Sequence, residues 1–324
     1  MANLIKCPEE LFDIDLREKV ILITGGYGGI GRETAAQLIR QGATVAIAGR
    51  NQTKGEAVAS EIGATFLHVD LSDMDSVRQF ATQFNGSYDR LDVLLCNAGV
   101  MAPPAPDKSP ASKRTKEGWE IQMATNYLGH ALLIHLLTDI LSQTDASRIV
   151  SVSSCCADSM PKGGQPNQAD VDLSDPHWNT RKYVPFDAYG QTKLAQILHA
   201  QELAKRLEEK GVSVVSLHPG WGSSSDLDRH MPYFLRKFVV PLIGGFLGAI
   251  SIKDAAQVPL YCVLSPDIES GKFYSQVGLY GNKDMQNGGL PMDFVSPNAT
   301  PEKQAALWTW TMKELGIEET EAPM

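Results

Sequence analysis

Tyr189-Gly-Gln-Thr-Lys193 places a phenol and an ammonium four residues apart, on one face of a helix. A tyrosine with an ordinary pKa near 10 is a poor acid or base at neutral pH. A neighbouring ammonium favours the phenolate, so the pair reads as a proton carrier with its tuning partner. A second constellation, Thr24-Gly-Gly-Tyr-Gly-Gly-Ile-Gly31, is a glycine-rich turn opening a helix. Gly26, Gly28 and Gly31 fit G-x-G-x-x-G, while Thr24, Gly25, Gly29 and Gly31 fit T-G-x-x-x-G-x-G, with Tyr27 and Ile30 in the variable places. Such a turn lets the backbone approach a pyrophosphate, whose charge rests on the helix N-terminus. The next strand ends in Gly49-Arg50-Asn51, with no acid to bind a ribose 2′-hydroxyl. A carboxylate would repel a 2′-phosphate and a guanidinium pairs with one, which favours NADP(H). Asp70-Leu71 ends the third strand, where Asp70 either meets the adenine or caps the following helix.

These residues need a scaffold that brings strand ends together. Apolar, β-branched runs at 20–23, 44–48, 65–69, 91–95, 148–152 and 212–217 predict strands. Between them, helices are predicted through Ile39 and over about 54–62, 73–84, 118–141 and 188–210, with an amphipathic tail helix near 302–315. Continuous apolar strands alternating with helices imply a parallel sheet covered on both faces, a doubly wound Rossmann-type α/β domain. No repeat or linker divides the chain, so residues 1–324 are expected to form one domain. The dinucleotide-binding and catalytic core is expected over about 18–220, a substrate lid over 221–251 and an extension of the core over 252–324.

Taken together, Thr24-Gly25…Gly29…Gly31, Asn97-Ala98-Gly99, Asn126, Ser153-Ser154, Tyr189…Lys193 and Pro219-Gly220 resemble the short-chain dehydrogenase/reductase family. They occur in that family's order and span most of the chain. Asn126-Tyr-Leu-Gly-His130, Ala188-Tyr-Gly-Gln-Thr-Lys-Leu-Ala195 and Leu217-His-Pro-Gly220 are similar to retinol-dehydrogenase-like reductases. They are also similar to the oxidoreductase domain of WW-domain oxidoreductase and to chloroplast relatives of the Tic type. The light-dependent protochlorophyllide reductases are a more distant likeness with the same Tyr/Lys pair.

The resemblance implies that Tyr189 passes a proton to or from the substrate oxygen, and that Lys193 tunes it and holds the nicotinamide ribose. Ser154, the second serine of its pair, would orient the carbonyl. Side chains alternate along a strand, so only one of Ser153 and Ser154 faces the site. Asn126 would anchor a water in a proton relay through Lys193. Asn97, Ala98 and Gly99 would steady the central strand, while Pro219, Gly220 and the hydroxyl of Ser224 would meet the nicotinamide. An insertion separates Ser154 from Tyr189 and shapes the entrance.

Bulk properties exclude other classes. With 43% hydrophobic and 21% charged residues the chain is ordinary for a globular protein. A net charge of −9 lacks the basic surface that nucleic acid or anionic lipid would need. Cys7, Cys96, Cys155, Cys156 and Cys262 form neither C-x-x-C nor a ligand cluster, which implies a reducing, cytoplasmic setting and no metal. The vicinal Cys155–Cys156 pair has a redox reading, but in a buried segment it is expected to act as two small hydrophobes. The first residues lack a signal-peptide core, and the longest apolar run, 238–250, is too short to span a bilayer. It is expected to be a lid, with peripheral membrane contact as the alternative. Trp178, Trp221, Tyr233 and Phe234 either reach the substrate or pack the core.

Three functions follow from this reading. The leading one is hydride transfer between NADPH and a carbonyl or alcohol of a hydrophobic small molecule, such as a retinoid, steroid, lipid or polyketide-like ketone. The second is reduction of an activated C=C bond, and the third an NADPH-binding regulatory or scaffold role. The long helices 118–141 and 188–210 are the surfaces through which a homodimer or homotetramer would form.

Overall fold

The computed structural model describes residues 3–103, 114–158, 169–222 and 249–318. β1 (Val20–Thr24), β2 (Thr44–Gly49), β3 (Thr65–His68), β4 (Val93–Cys96), β5 (Arg148–Val152) and β6 (Ser213–His218) answer the six apolar runs. They pair in parallel in the order β3-β2-β1-β4-β5-β6. The 252–318 stretch adds two further strands to the same sheet. β9 (Phe273–Ser275) lies parallel to β6, and β10 (Gly289–Met292) closes the edge antiparallel to β9. A small separate ladder joins β7 (Trp221–Gly222) to β8 (Ala249–Ile250).

Strand alternation divides the core in two. Ile21 and Ile23 of β1 face one side with Val45, Ile47, Leu95 and Val152, under α1 (Gly29–Arg40), α2 (Gln52–Ile62) and α7 (Gln257–Leu264). Leu22 faces the other with Ala46, Leu94 and Ile149, under α3 (Met74–Ser87), α4 (Gly129–Ser142), α5 (Pro185–Arg206) and α8 (Pro301–Leu315). A short helix, α6 (Ile252–Ala255), precedes α7. This is the doubly wound Rossmann-type sheet expected of the sequence.

Two elements depart from their expected form. The predicted helix over 118–141 begins with a turn at Gly118, enters helical geometry at Ile121, widens into a π-helical turn at Met123–Leu128 and is regularly α-helical from Gly129. β9 and β10 carry no strong strand signal. β9 is three residues long, and β10 contains Pro291, which an edge strand tolerates because its outer N–H faces no partner.

The tail helix decides how the long helices are used. Leu307, Trp308, Thr311, Met312 and Leu315 of α8 are buried, and the Tyr127 hydroxyl meets Thr311 Oγ1 at 2.6 Å. Trp308 stacks on His199 of α5 with 5.6 Å between ring centres, and the Arg206 guanidinium lies 4.3 Å from the same indole. Pairing of two copies through this face of α5 would first have to displace α8. The predicted lid lies mostly in residues 223–248, with Ser224, Tyr233 and Phe234, outside the described residues. Among the described residues no helix is long and apolar enough to cross a membrane.

Removing the Trp308 indole leaves a cavity between α5 and α8 and an unshielded Arg206. Trp308→Ala is expected to cost about 3 kcal/mol of unfolding free energy, read by urea denaturation. An unchanged midpoint would show that α8 merely rests on the surface.

Candidate active site

The glycine turn binds through what it lacks. Gly25 has φ +67°, and a Cβ there would approach Ala98 Cα to 3.0 Å. A Cβ on Gly31 would stand 2.5 Å from Asn97 Nδ2 and 2.7 Å from Gly25 O, so only glycine lets α1 start this close to β4. α1 opens at Gly28 with no side-chain cap, whereas Asn51, Asp73 and Thr300 cap α2, α3 and α8. Its first N–H groups are thus left for an anion. The cleft above them, between β1 and β4 where the winding reverses, is lined by Gly25, Tyr27, Gly28, Gly29, Ile30, Arg50, Asp70, Leu71, Asn97, Ala98 and Gly99. These residues fit a nicotinamide dinucleotide.

Within the cleft, Tyr27 packs over Gly49, edge-on to Phe66 with ring centres 6.2 Å apart, and the Lys54 ammonium lies 5.5 Å from its ring centre. Arg50 stands exposed at the end of β2. Asp70 turns Oδ1 onto Ser72, accepting from its N–H at 2.9 Å and its hydroxyl at 2.6 Å. It is Asp73, not Asp70, that caps α3. Thr24, grouped with the cofactor contacts from sequence, is fully buried and its hydroxyl is used inside the protein. Thr24 Oγ1 accepts from the N–H groups of Asn97 and Ala98 at 2.9 and 3.0 Å, and Asn97 Nδ2 donates to Thr24 O at 2.8 Å. Together these bonds lock the end of β4 to β1.

Tyr189 and Lys193 sit one turn apart on α5, both buried, with Lys193 Nζ 5.5 Å from the phenol ring centre. Nζ donates to Val152 O at 2.9 Å and to Gln196 Oε1 at 2.8 Å, two of its three donors. A methyl group placed on Gly99 would lie 3.8 Å from Nζ, which puts the ammonium against the cofactor cleft. Burial pushes the Lys193 pKa down to about 7, partly opposed by negative charge on the Cys156 sulfur. The two serines divide as alternation requires. Ser153 Oγ donates to Lys193 O at 2.7 Å and pins α5 to β5, while Ser154 Oγ, half-exposed, accepts from Cys156 N–H at 3.2 Å.

Asn126 lies on the π-helical turn, fully buried. Its Oδ1 accepts from Val100 N–H at 2.8 Å, and Nδ2 donates to Val100 O at 3.0 Å and Thr192 Oγ1 at 3.1 Å. These bonds tie the strand after Gly99 to the π-helical turn and to α5.

His130, one turn on, escaped the sequence reading. Its Nδ1 is 2.9 Å from Asn126 O, which can only accept, so Nδ1 carries the proton and Nε2 accepts from the Thr24 hydroxyl at 2.9 Å. Burial holds His130 near a pKa of about 4, neutral as this network needs. The spacing Asn126-x-x-x-His130 on one helix face was the available signal.

Pro219 and Gly220 are buried beyond β6, Gly220 with φ +85° and packed by Ile250 and Gln276. Trp178 packs structurally, under the Arg181 guanidinium at 3.7 Å and edge-on to Tyr183. The insertion is tied to the segment entering the π-helical turn, because Tyr183 donates to Glu120 Oε1 at 2.9 Å and accepts from Gln122 Nε2 at 2.9 Å. Cys155 and Cys156 lie partly buried beside Ser154, and Cys155 packs against the hydrophobic core as the small-hydrophobe reading expects. Among the described residues no group of three or more histidines, cysteines or acids is placed to hold a metal.

Residues 19–166 match the family model for short chain dehydrogenases. Human retinol dehydrogenase 13 is 33% identical over 93% of this chain and 85% of its own length. The chain belongs to the short-chain dehydrogenase family. Bovine retinol dehydrogenase 12 is 37% identical over 94% of this chain and 89% of its own length. An uncharacterized protein from Mycobacterium paratuberculosis has the same fold, with a TM-score of 0.71 and 30% identity over 95% of this chain and 97% of its own. The family assignment makes this an oxidoreductase that uses a nicotinamide cofactor, and the resemblance to retinol-dehydrogenase-like members is borne out.

A buried lysine carries a signature in stability. Its pKa is about 7 folded against 10.5 unfolded, so between those values the unfolded chain binds the extra proton and stability rises with pH. Relative to a Lys193→Met variant, the native protein should gain unfolding free energy between pH 7 and pH 9.5 in paired urea melts. A constant difference would show that Lys193 is solvated in the free enzyme.

Proposed function

We propose that this protein is an NADP(H)-dependent reductase of aldehydes or ketones on hydrophobic small molecules. The observation that carries the reading is the Tyr189/Lys193 pair on α5, with Lys193 Nζ against Gly99 of a dinucleotide cleft whose far end presents Arg50 and an Asp70 already bonded to Ser72. Bound cofactor supplies or accepts the hydride. Arg50 pairs with the 2′-phosphate, and the Tyr27 ring walls the same end of the cleft. Ser154 Oγ holds the carbonyl oxygen, orienting it toward the nicotinamide side. Tyr189 gives that oxygen its proton, and the Lys193 ammonium favours the phenolate left behind. Asn126 and His130 act as positioning residues, keeping the Thr24–Asn97 lock and α5 at a set distance.

An apolar substrate is supported by the rim. Phe186, 43% exposed, lies one turn before Tyr189, and Leu279 is 51% exposed. The retinol dehydrogenases among the relatives support the same class. Five unpaired cysteines support a reducing compartment, the cytoplasm among them. The face of α5 covered by α8 supports a chain that works without pairing there.

Fluorescence titration tests the cofactor first. NADPH is expected to bind more tightly than NADH, and Arg50→Ala to weaken NADPH by roughly tenfold to a hundredfold, as for one charged hydrogen bond. Tyr189→Phe is expected to keep NADPH affinity and to lose about 10²- to 10⁴-fold in turnover on an aldehyde and ketone panel. Tighter NADH binding would reverse the reading of Arg50. Full turnover by Tyr189→Phe would remove the phenol from the mechanism, and a product retaining its carbonyl would point to C=C reduction.

A further inference from the structure

The segment that leaves β6 is held from beneath by a side chain that the proposed reaction does not use. We propose that Gln276 is a positioning residue for the nicotinamide half of the bound cofactor, setting the place of residues 219–222 and tying them to residues 5–7. This rests on reading the cleft as a dinucleotide site.

Topology gives the segment its place. In the order β3-β2-β1-β4-β5-β6, Arg50 follows β2 on one side of the glycine turn, and Lys193 Nζ meets Val152 O of β5 on the other. Residues 219–222 leave β6, next to β5, at the carboxyl end where ligands of such sheets bind. They run back toward the glycine turn, since a Cβ on Gly222 would lie 3.8 Å from the side chain of Ile30, which lines the cleft. A cofactor whose adenine ribose meets Arg50 therefore extends its nicotinamide half toward this segment. The segment's strand pairing is only the two-residue ladder of β7 with β8, so its position depends on what packs beneath it.

Gln276 supplies that support. It is fully buried just after β9, and its N–H donates to His218 O at 2.9 Å, one residue before Pro219. A Cβ on Gly220 would stand 2.9 Å from Gln276 Cγ and 3.4 Å from its Cβ, so the glutamine stem lies against the Gly220 backbone. The amide fixes where the stem points. Its Oε1 accepts from Ile5 N–H at 2.7 Å and Val277 N–H at 3.1 Å. Its Nε2 donates to Ile5 O at 2.9 Å and to Asp254 O of α6 at 3.4 Å. Ile5 is thus bracketed at both of its backbone groups. Lys6 pairs with the Asp254 carboxylate, and Cys7 N–H donates to Gln257 Oε1 at 3.0 Å, which extends the attachment to α7. A buried amide with all its bonds made keeps one orientation, because each bond is costly to leave unmade. Residues 5–7 and the Gly220 wall therefore share one support, and ordering either one favours order in the other.

Whole and half cofactor separate positioning from general loss of structure. Gln276→Ala is expected to weaken NADPH by about tenfold in fluorescence titration. Its affinity for 2′,5′-ADP, which ends short of the segment, should be unchanged by calorimetry. Gln276→Met, which keeps the stem and loses the amide, should recover part of the loss. In the native protein NADP⁺, but not 2′,5′-ADP, should slow deuterium uptake in the peptide that holds residues 5–7, a readout that needs no variant. Equal losses for both ligands in Gln276→Ala would reduce the residue to a general structural support and overturn the proposal. No loss for either ligand, or no protection of residues 5–7 by NADP⁺, would overturn it as well. Should NADH and AMP bind in place of the phosphorylated pair, that failure belongs to Arg50 alone, and the same difference between whole and half cofactor upholds or overturns Gln276.

Discussion

A lysine ammonium held in the interior sets the terms for much of this structure. Lys193 is 3% exposed, and an unpaired charge at such depth costs several kcal/mol. The protein offsets that cost with carbonyl oxygens rather than with an acid. Val152 O and Gln196 Oε1 accept two donors, and the anionic cofactor expected in the cleft would complete the neutralisation. A carboxylate partner would have satisfied the charge in the free enzyme and blunted its effect on Tyr189. Keeping the lysine partly unmet leaves its field available to the reaction.

Such a site demands rigid walls, and the two-sided sheet supplies them. Just beyond β5, Ser153 bonds the backbone of α5 while the partly exposed Ser154 turns the other way, so one strand end fixes the catalytic helix and carries the serine proposed to meet the substrate. α5 is in turn clasped from outside by α8, whose Trp308 and Thr311 bind His199 of α5 and Tyr127 of the neighbouring π-helical turn. The chain beyond β6 thus supports the catalytic helix through the packing of α8.

The π-helical turn is where local irregularity is put to use. A regular helix over 118–141 would bond Asn126 and His130 only along its own axis. Widening at Met123–Leu128 lets the Asn126 side chain bracket Val100 while its carbonyl meets His130, which reaches on to Thr24. One continuous chain of buried hydrogen bonds then connects the dinucleotide turn to the catalytic helix through Thr192. Satisfied networks of this kind rigidify a site, because each member is costly to leave unpaired.

Much of this was legible in the primary structure. Six apolar runs became six parallel strands, and the glycine turn, Arg50 and the Tyr189/Lys193 pair lie where motif spacing puts them, since each depends on local periodicity and backbone sterics. Other features depended on residues far apart in the chain. Thr24 belongs to the protein's internal lock, His130 links two motifs, and α8 closes the face of a helix about a hundred residues earlier. Sequence determined which groups are present and the local elements that carry them. Tertiary structure decided which are buried, because burial and hydrogen-bond pairing are properties of the neighbours that folding brings together.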